Sequence, residues 1–289
     1  MGALDVIKNK TLTYEQIVMS LAKEGENSLN VLNISEKAQK YRDEGIICDL
    51  FEGNAPFRPR YIVPDYEKFM KNGSKFLGIE PAKDIWEATH NLLMLYKHVP
   101  SITTMPVYLG NLDYMLEPYI KDEEEAYRAI KLFLKHIDTT ITDSFCHSNI
   151  GPKETKAAFI ILRVMEELQL PTPNLTLKYS EETSDKLALA AVEAALVTAK
   201  PSFANHKVYS ENFKGDYGIV SCYNGLKVGG GAYTLVRVKL GELSKKADSV
   251  EQFMEELLPD LADAMLGYID ERVRFIVEET PFFESNFLA

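Results

Sequence analysis

The sequence predicts an α/β protein in which N-terminal helices are followed by mostly parallel strands that alternate with helices. Runs rich in β-branched and aromatic residues recur at 103–109, 141–146, 174–179, 202–209, 217–221 and 232–239. Helix-period stretches of about 12 residues or more separate the earlier runs, which is the pattern of βαβ units and a parallel sheet. With 46% hydrophobic residues in 289, the chain can bury a sizeable core, as one large or two ordinary domains. A change in element type divides it into a helical region, 1–100, and an α/β region, 101–289, read as one continuous structural unit.

In chain order, residues 13–45 read as two short helices broken between Gly25 and Asn33. The proline-rich run "FEGNAPFRPRYIVPDY" at 51–66 lacks periodicity, but its aromatic residues Phe51, Phe57, Tyr61 and Tyr66 call for burial. Pro64-Asp65 opens a helix that Gly73 ends. Glu80 to Lys97 is a helix with Ile85, Ala88, Leu92, Leu93 and Leu95 at its apolar positions. Glu123 to His136 is another, and Pro152 stands near the start of a helix running to Leu168. Thr183 or Ser184 caps an Ala-rich helix that reaches Lys200. Ser249 with Gln252 forms a capping box, and Pro259 is expected to kink or restart the last helix.

The formal net charge of −11 with no basic block argues against nucleic acid and anionic membranes as partners. No run of about 18 apolar residues is present, so no membrane span is expected. Three scattered cysteines, Cys48, Cys146 and Cys222, fit a reducing, cytoplasmic setting rather than a disulfide framework. His90 and His98 are eight apart, and no Cys-x-x-Cys occurs, so no metal site is expected. Gly229 to Gly231 precede a strand rather than a helix, so they read as a tight loop and not a phosphate cradle.

Cys222 stands between two strand-like runs, followed by Asn224-Gly225 and the three glycines, an arrangement that carries a thiol on a loop. Periodicity alone leaves a second reading open, a small buried hydrophobe. The surrounding strings decide between them. "EGIICDLFEGNAPFRPRYIVPDY" at 44–66, "HVPSITTMPVYLGNLD" at 98–113, "NIGP" at 149–152, "PNLTLKYS" at 173–180, "YGIVSCYNGL" at 217–226 and "GGGAYTLVRVKL" at 229–240 together resemble the glycyl radical enzymes, nearest to the YjjI type. The resemblance implies that this chain forms a half-barrel, part of a ten-stranded α/β barrel, with the cysteine on a loop inside. It implies that Cys222 becomes a thiyl radical that takes hydrogen from a small-molecule substrate. No cofactor would be bound. The organic radical would be stored on a glycine outside this chain, installed by an S-adenosylmethionine iron–sulfur activating enzyme. The family's C-terminal motif, of the form Arg-Val-x-Gly-Tyr, has no match here: "RVKLGE" at 237–242 has the wrong spacing, and Gly267-Tyr268 lacks the arginine. The expectation is therefore an N-terminal portion, inactive by itself. The other expectation is a split subunit that pairs with a chain supplying the second half-barrel. A homodimer is a third form of association for a half-barrel with open sheet edges.

The neighbours of Cys222 narrow the chemistry. Formate-lyase-like members carry two adjacent cysteines, whereas Ser221 precedes Cys222 here. Diol lyases carry Cys-x-Glu, whereas Asn224 stands at that position and is no base at neutral pH. Cys146-His147 ends a predicted strand, where α/β barrels hold chemistry. His147 reads equally as a substrate ligand or as a partner of a nearby carbonyl, and Cys146 as a packed thiol or a second redox thiol. Asn149 and Asp143 read as pocket ligands or turn residues, and Asn224 as a substrate ligand beside the thiol.

Overall fold

The computed structural model describes residues 3–27, 32–49, 59–75, 77–99, 107–139, 146–220, 223–232 and 234–279. Their contacts separate two compact units. One joins the residues up to Arg60 with those from Ala232 onward, and the other holds Tyr61 to Gly231. The division at residue 100 follows element type, whereas this grouping follows contacts.

In the first unit, the helix Glu36–Asp43 begins at Ser35, whose Oγ accepts the Ala38 amide at 3.1 Å. It ends at Gly45, whose φ of +68° is the left-handed conformation that glycine adopts freely. The Ile46 amide then donates back to the Tyr41 carbonyl at 2.9 Å. The short strand Ile47–Asp49 pairs antiparallel with Val236–Val238. Ala38, Tyr41, Ile46, Ile47, Leu243, Leu261, Ala264 and Tyr268 form the core beneath this pair. Ser249 accepts the Gln252 amide at 3.1 Å, while Gln252 reaches back to the Asp248 amide at 2.8 Å. A π-helical turn, Phe253–Leu257, leads into the helix Leu258–Glu278. Pro259 directly follows the π-turn, and the backbone stays helical from Val250 to Glu278, so the proline is accommodated by the widened turn rather than by a break or restart.

The second unit is built on a parallel sheet of four strands in consecutive order: β1 (Val107–Asn111), β2 (Cys146–Ile150), β3 (Asn174–Tyr179) and β4 (Ser202–Asn205). Helices α1 (Glu123–Thr139), α2 (Lys156–Leu168) and α3 (Asp185–Thr198) connect them. Ala126, Ala129, Ile130, Phe133 and Ile137 bury one face of α1, and Ala158, Ile161, Val164 and Met165 one face of α2. Each large apolar side chain so buried contributes about 1.5–3 kcal/mol. Thr155 caps α2 and Ser184 caps α3 through their hydroxyl oxygens, the second as the sequence suggests. Asp113, buried just beyond β1, accepts the Gly151 amide at 3.0 Å and the Thr155 hydroxyl at 3.3 Å, which ties the turn after β2 to β1.

Three strand assignments differ from expectation. The run 202–209 is a strand only to Asn205, whose side chain accepts the Val208 amide and starts helix α4 (His206–Phe213). The cap wins over the β propensity of the following residues, so His206 opens a helix and is not in a strand. The run 232–239 resolves into Gly231–Ala232 and Val236–Val238, the latter in the other unit and antiparallel to Ile47–Asp49. The expected strand 141–146 runs from Cys146 to Ile150, and 141–145 lie outside the described residues. Among the described residues the parallel sheet thus has four strands, and not all six runs join it. The 217–221 run instead forms β5 (Tyr217–Val220), which makes an antiparallel hairpin with β6 (Asn224–Lys227).

Candidate functional site

Side chains alternate across a strand. On one face of the sheet they are polar and buried: Tyr108 from β1, His147 and Asn149 from β2, Thr176 and Lys178 from β3. So polar a buried face demands partners. The hairpin supplies them near the C-terminal ends of the strands, the end at which βα folds hold their chemistry.

One edge of β5 is paired to β6, with Tyr217 opposite Lys227, Ile219 opposite Gly225 and Val220 opposite Asn224. The other edge is met by side chains. The Asn149 carboxamide accepts the Ile219 amide at 2.8 Å and donates to the Ile219 carbonyl at 2.9 Å. Its oxygen also accepts the Tyr108 hydroxyl at 2.9 Å. Lys178 Nζ donates to the Tyr217 carbonyl at 2.9 Å and lies 4.2 Å from the centre of the Tyr217 ring. Between these two attachments Gly218 rests on Tyr108: a Cβ there would stand 2.6 Å from the ring.

Helix α4 closes the other side. Tyr209, His206 and Phe213 stack around Tyr217 with ring centroids 5.5, 5.9 and 6.1 Å away. His206 Nδ1 shares a hydrogen bond of 2.6 Å with the Tyr217 hydroxyl. Burial first, then the Lys178 charge, hold His206 below its ordinary pKa, which favours the neutral ring. The Tyr209 hydroxyl donates to the Tyr223 carbonyl at 2.6 Å. Gly225 lets β6 approach Tyr209 and Phe213, which a Cβ would meet at 2.6–2.7 Å. Beside α4, a groove of about 580 Å³ opens at the ends of β3 and β4, walled by Tyr179, Phe203, His206, Glu181 and Glu182 among others.

Ser221 and Cys222 lie outside the described residues, bracketed by the paired Val220 and Asn224. Tyr223 has a φ of +66°, the strained left-handed region for a residue with a side chain. Asn224 opens β6 and is exposed. Asn149 and His147 share the polar face, but the Asn149 amide is engaged by β5 and Tyr108. His147 is buried farther toward the start of β2; burial first and Lys200 second push its pKa down to about 4. Cys146 is the first residue of β2 rather than its last, so it sits at the strand end opposite Asn149. Burial pushes its thiol up, away from the reactive thiolate. Asp143 lies outside the described residues.

Sequence reasoning missed Tyr108, Lys178 and Gly218. A signal existed for Lys178: in "NLTLKY" Thr176 and Lys178 alternate with Leu175 and Leu177, so one face of a buried strand had to be polar. Burial brings the Lys178 pKa down to about 8 against the opposing pull of Asp113, Glu67 and Asp216. Asp113 is driven up to about 7 by burial.

The model of the glycyl radical enzyme YjjI-like family matches residues 12–289. An uncharacterized protein of Haemophilus influenzae is 47% identical over 289 residues, which cover 99% of this chain and 56% of that protein. The uncharacterized protein YjjI of Escherichia coli is 42% identical over 288 residues, covering 98% of this chain and 56% of its own length. The chain thus spans little more than half of these relatives. Among solved structures, the anaerobic ribonucleotide reductase from Thermotoga maritima, crystallised with citrate in its active site, superposes with a TM-score of 0.68. It is 11% identical and the match covers 96% of this chain and 63% of that one, which is a likeness of fold.

Proposed function

The chain belongs to the YjjI-like glycyl radical enzyme family, and from that premise we propose that it carries the thiyl half of a radical relay centred on Cys222. A glycyl radical takes the hydrogen atom from the Cys222 thiol, leaving glycine with its Cα–H restored and sulfur with the unpaired electron. The thiyl then takes a hydrogen atom from a C–H bond of a small-molecule substrate, restoring S–H and leaving a substrate carbon radical. The glycine belongs to polypeptide outside this chain, and an S-adenosylmethionine iron–sulfur enzyme supplies the first oxidation. The observation that carries the reading is the hairpin whose paired residues Val220 and Asn224 bracket Ser221 and Cys222 and whose β5 edge is bonded to a buried polar face. Ser221 before the thiol and Asn224 two residues after it speak against acyl transfer and diol dehydration. Three scattered cysteines accord with work in a reducing cytoplasm.

The test needs no substrate. In an activated full-length enzyme in D2O, an exchangeable thiol that trades hydrogen reversibly with the glycyl radical carries deuterium onto the glycine. The α-hydrogen splitting of its electron paramagnetic resonance signal then collapses. Cys222→Ser is expected to keep the splitting; collapse in that variant at the wild-type rate would overturn the assignment.

A second reading, a partner-binding module, has its own observation. Leu189, Val192 and Leu196 form an exposed apolar stripe on α3, the helix that leads into β4, which is the edge strand of the parallel sheet among the described residues and carries the exposed Phe203. Apolar stripes and open sheet edges favour association with another polypeptide or a second copy. Light scattering tests it: self-association of the isolated chain is expected, and a clean monomer at high concentration would count against it.

A further inference from the structure

We propose that Asn149 and Lys178 are positioning residues, whose side chains stand in for a neighbouring strand along the edge of β5 that faces away from β6, and so fix the strand that leads into Ser221 and Cys222. The inference gains its catalytic meaning from the thiyl reading, but its physical content is independent of it. An antiparallel ladder satisfies only one edge of a hairpin. The Tyr217 carbonyl and the Ile219 N–H and carbonyl belong to the other edge, where buried backbone groups must find partners. A third strand would satisfy them by extending the hairpin into a wider sheet. Two side chains satisfy them instead, through the three bonds already described.

Such pairing is more selective than strand pairing. A strand can slip by two residues and recover its ladder. A single carboxamide matches the N–H and carbonyl of one residue, here Ile219, and Lys178 holds a second point two residues earlier. Two points set the position and direction of β5, and the ring of Tyr108 under Gly218 sets its height above the sheet. Tyr108 in turn is oriented by its bond to the Asn149 oxygen, so the three groups act as one device. Hydrogen transfer requires the reacting atoms to be held near contact, and Cys222 follows the last residue of β5, Val220, by two positions, so fixing β5 limits where the thiol can go. Asn149 therefore acts through Ile219 rather than on the substrate, in place of the ligand role expected from sequence.

The experiment is site-resolved alkylation of the intact chain with iodoacetamide, read by mass spectrometry, together with amide hydrogen exchange at Ile219. Wild type, Asn149→Ala and Lys178→Met are compared; methionine keeps an unbranched apolar stem and removes the donor. Cys146, buried in β2, reports any general loosening. Losing one buried bond pair is expected to change the Cys222 alkylation rate and speed Ile219 exchange about tenfold, with Cys146 still protected. Unchanged rates at Cys222 and Ile219 in either folded variant would overturn the proposal. Should Asn149→Ala expose Cys146 as well, Lys178→Met decides alone. The two readings fail separately: deuterium transfer that persists in Cys222→Ser removes the radical role and leaves the clamp, whereas unaltered alkylation removes the clamp and leaves the radical role.

Discussion

Lys178 shows how much one inward-facing residue alters a strand of leucines. Its ammonium is buried against Tyr217 and its pKa falls from 10.5 to about 8. Between those values the unfolded chain still binds a proton that the fold has released, so this group makes stability rise as pH climbs from 8 toward 10.5. Lys178→Met is expected to flatten that rise in urea titrations. Asp113 has the opposite sign. Raised from 3.8 to about 7, its carboxyl holds a proton in the fold that the unfolded chain has lost, so its contribution is full below 3.8 and disappears as pH passes 7. His147, lowered from 6.5 to about 4, favours the fold above 6.5 and loses that contribution as pH falls through 4. The two oppose each other between about 4 and 6.5. Asp113→Asn should therefore uncover a stability that rises with pH across that window, and a flat or falling profile in the variant would contradict the burial of His147 as a neutral ring. Gly218→Ala forces a methyl into the Tyr108 ring and is expected to cost about 1–3 kcal/mol. Its denaturation midpoint measures this.

Several helices in this chain begin where a short polar side chain caps them. Ser35, Thr155, Ser184, Asn205 and Ser249 each accept an amide in the first turn. Ser184 and Ser249 were legible because each precedes a clear helical period. Asn205 was not, because "SFANHKVY" carries as many strand formers as helix formers and only the cap distinguishes them. Asn205→Ala is expected to destabilise by about 1 kcal/mol and to fray α4. The stacking of Tyr209 and Phe213 on Tyr217 should weaken with it, visible as lost near-ultraviolet circular dichroism. The hairpin was half legible. A thiol between two strand-like runs pointed to a loop, but the return strand Asn224–Lys227 was hidden, since Asn-Gly reads as a turn and the strand has no apolar alternation.

At the scale of the molecule, the α3 stripe of Leu189, Val192 and Leu196 is exposed, with Leu196 at 83%. Leu196→Glu is expected to change stability by less than about 0.5 kcal/mol while lowering any self-association seen by light scattering. A loss of folding instead would mean that the stripe is packed within the chain. The sequence by itself determined the alternation of helices and strands, the parallel sheet, most of the helix starts and the thiol between strand-like runs. All of these are local: they follow from side-chain periods and caps that act over four residues or fewer. Only the tertiary structure decided which polar residues meet the hairpin. Asn149 meets a backbone 70 residues away and Lys178 one 39 residues away. A buried polar side chain announces that it needs a partner, but which backbone group comes within hydrogen-bonding distance depends on how the whole chain returns to the face of the sheet.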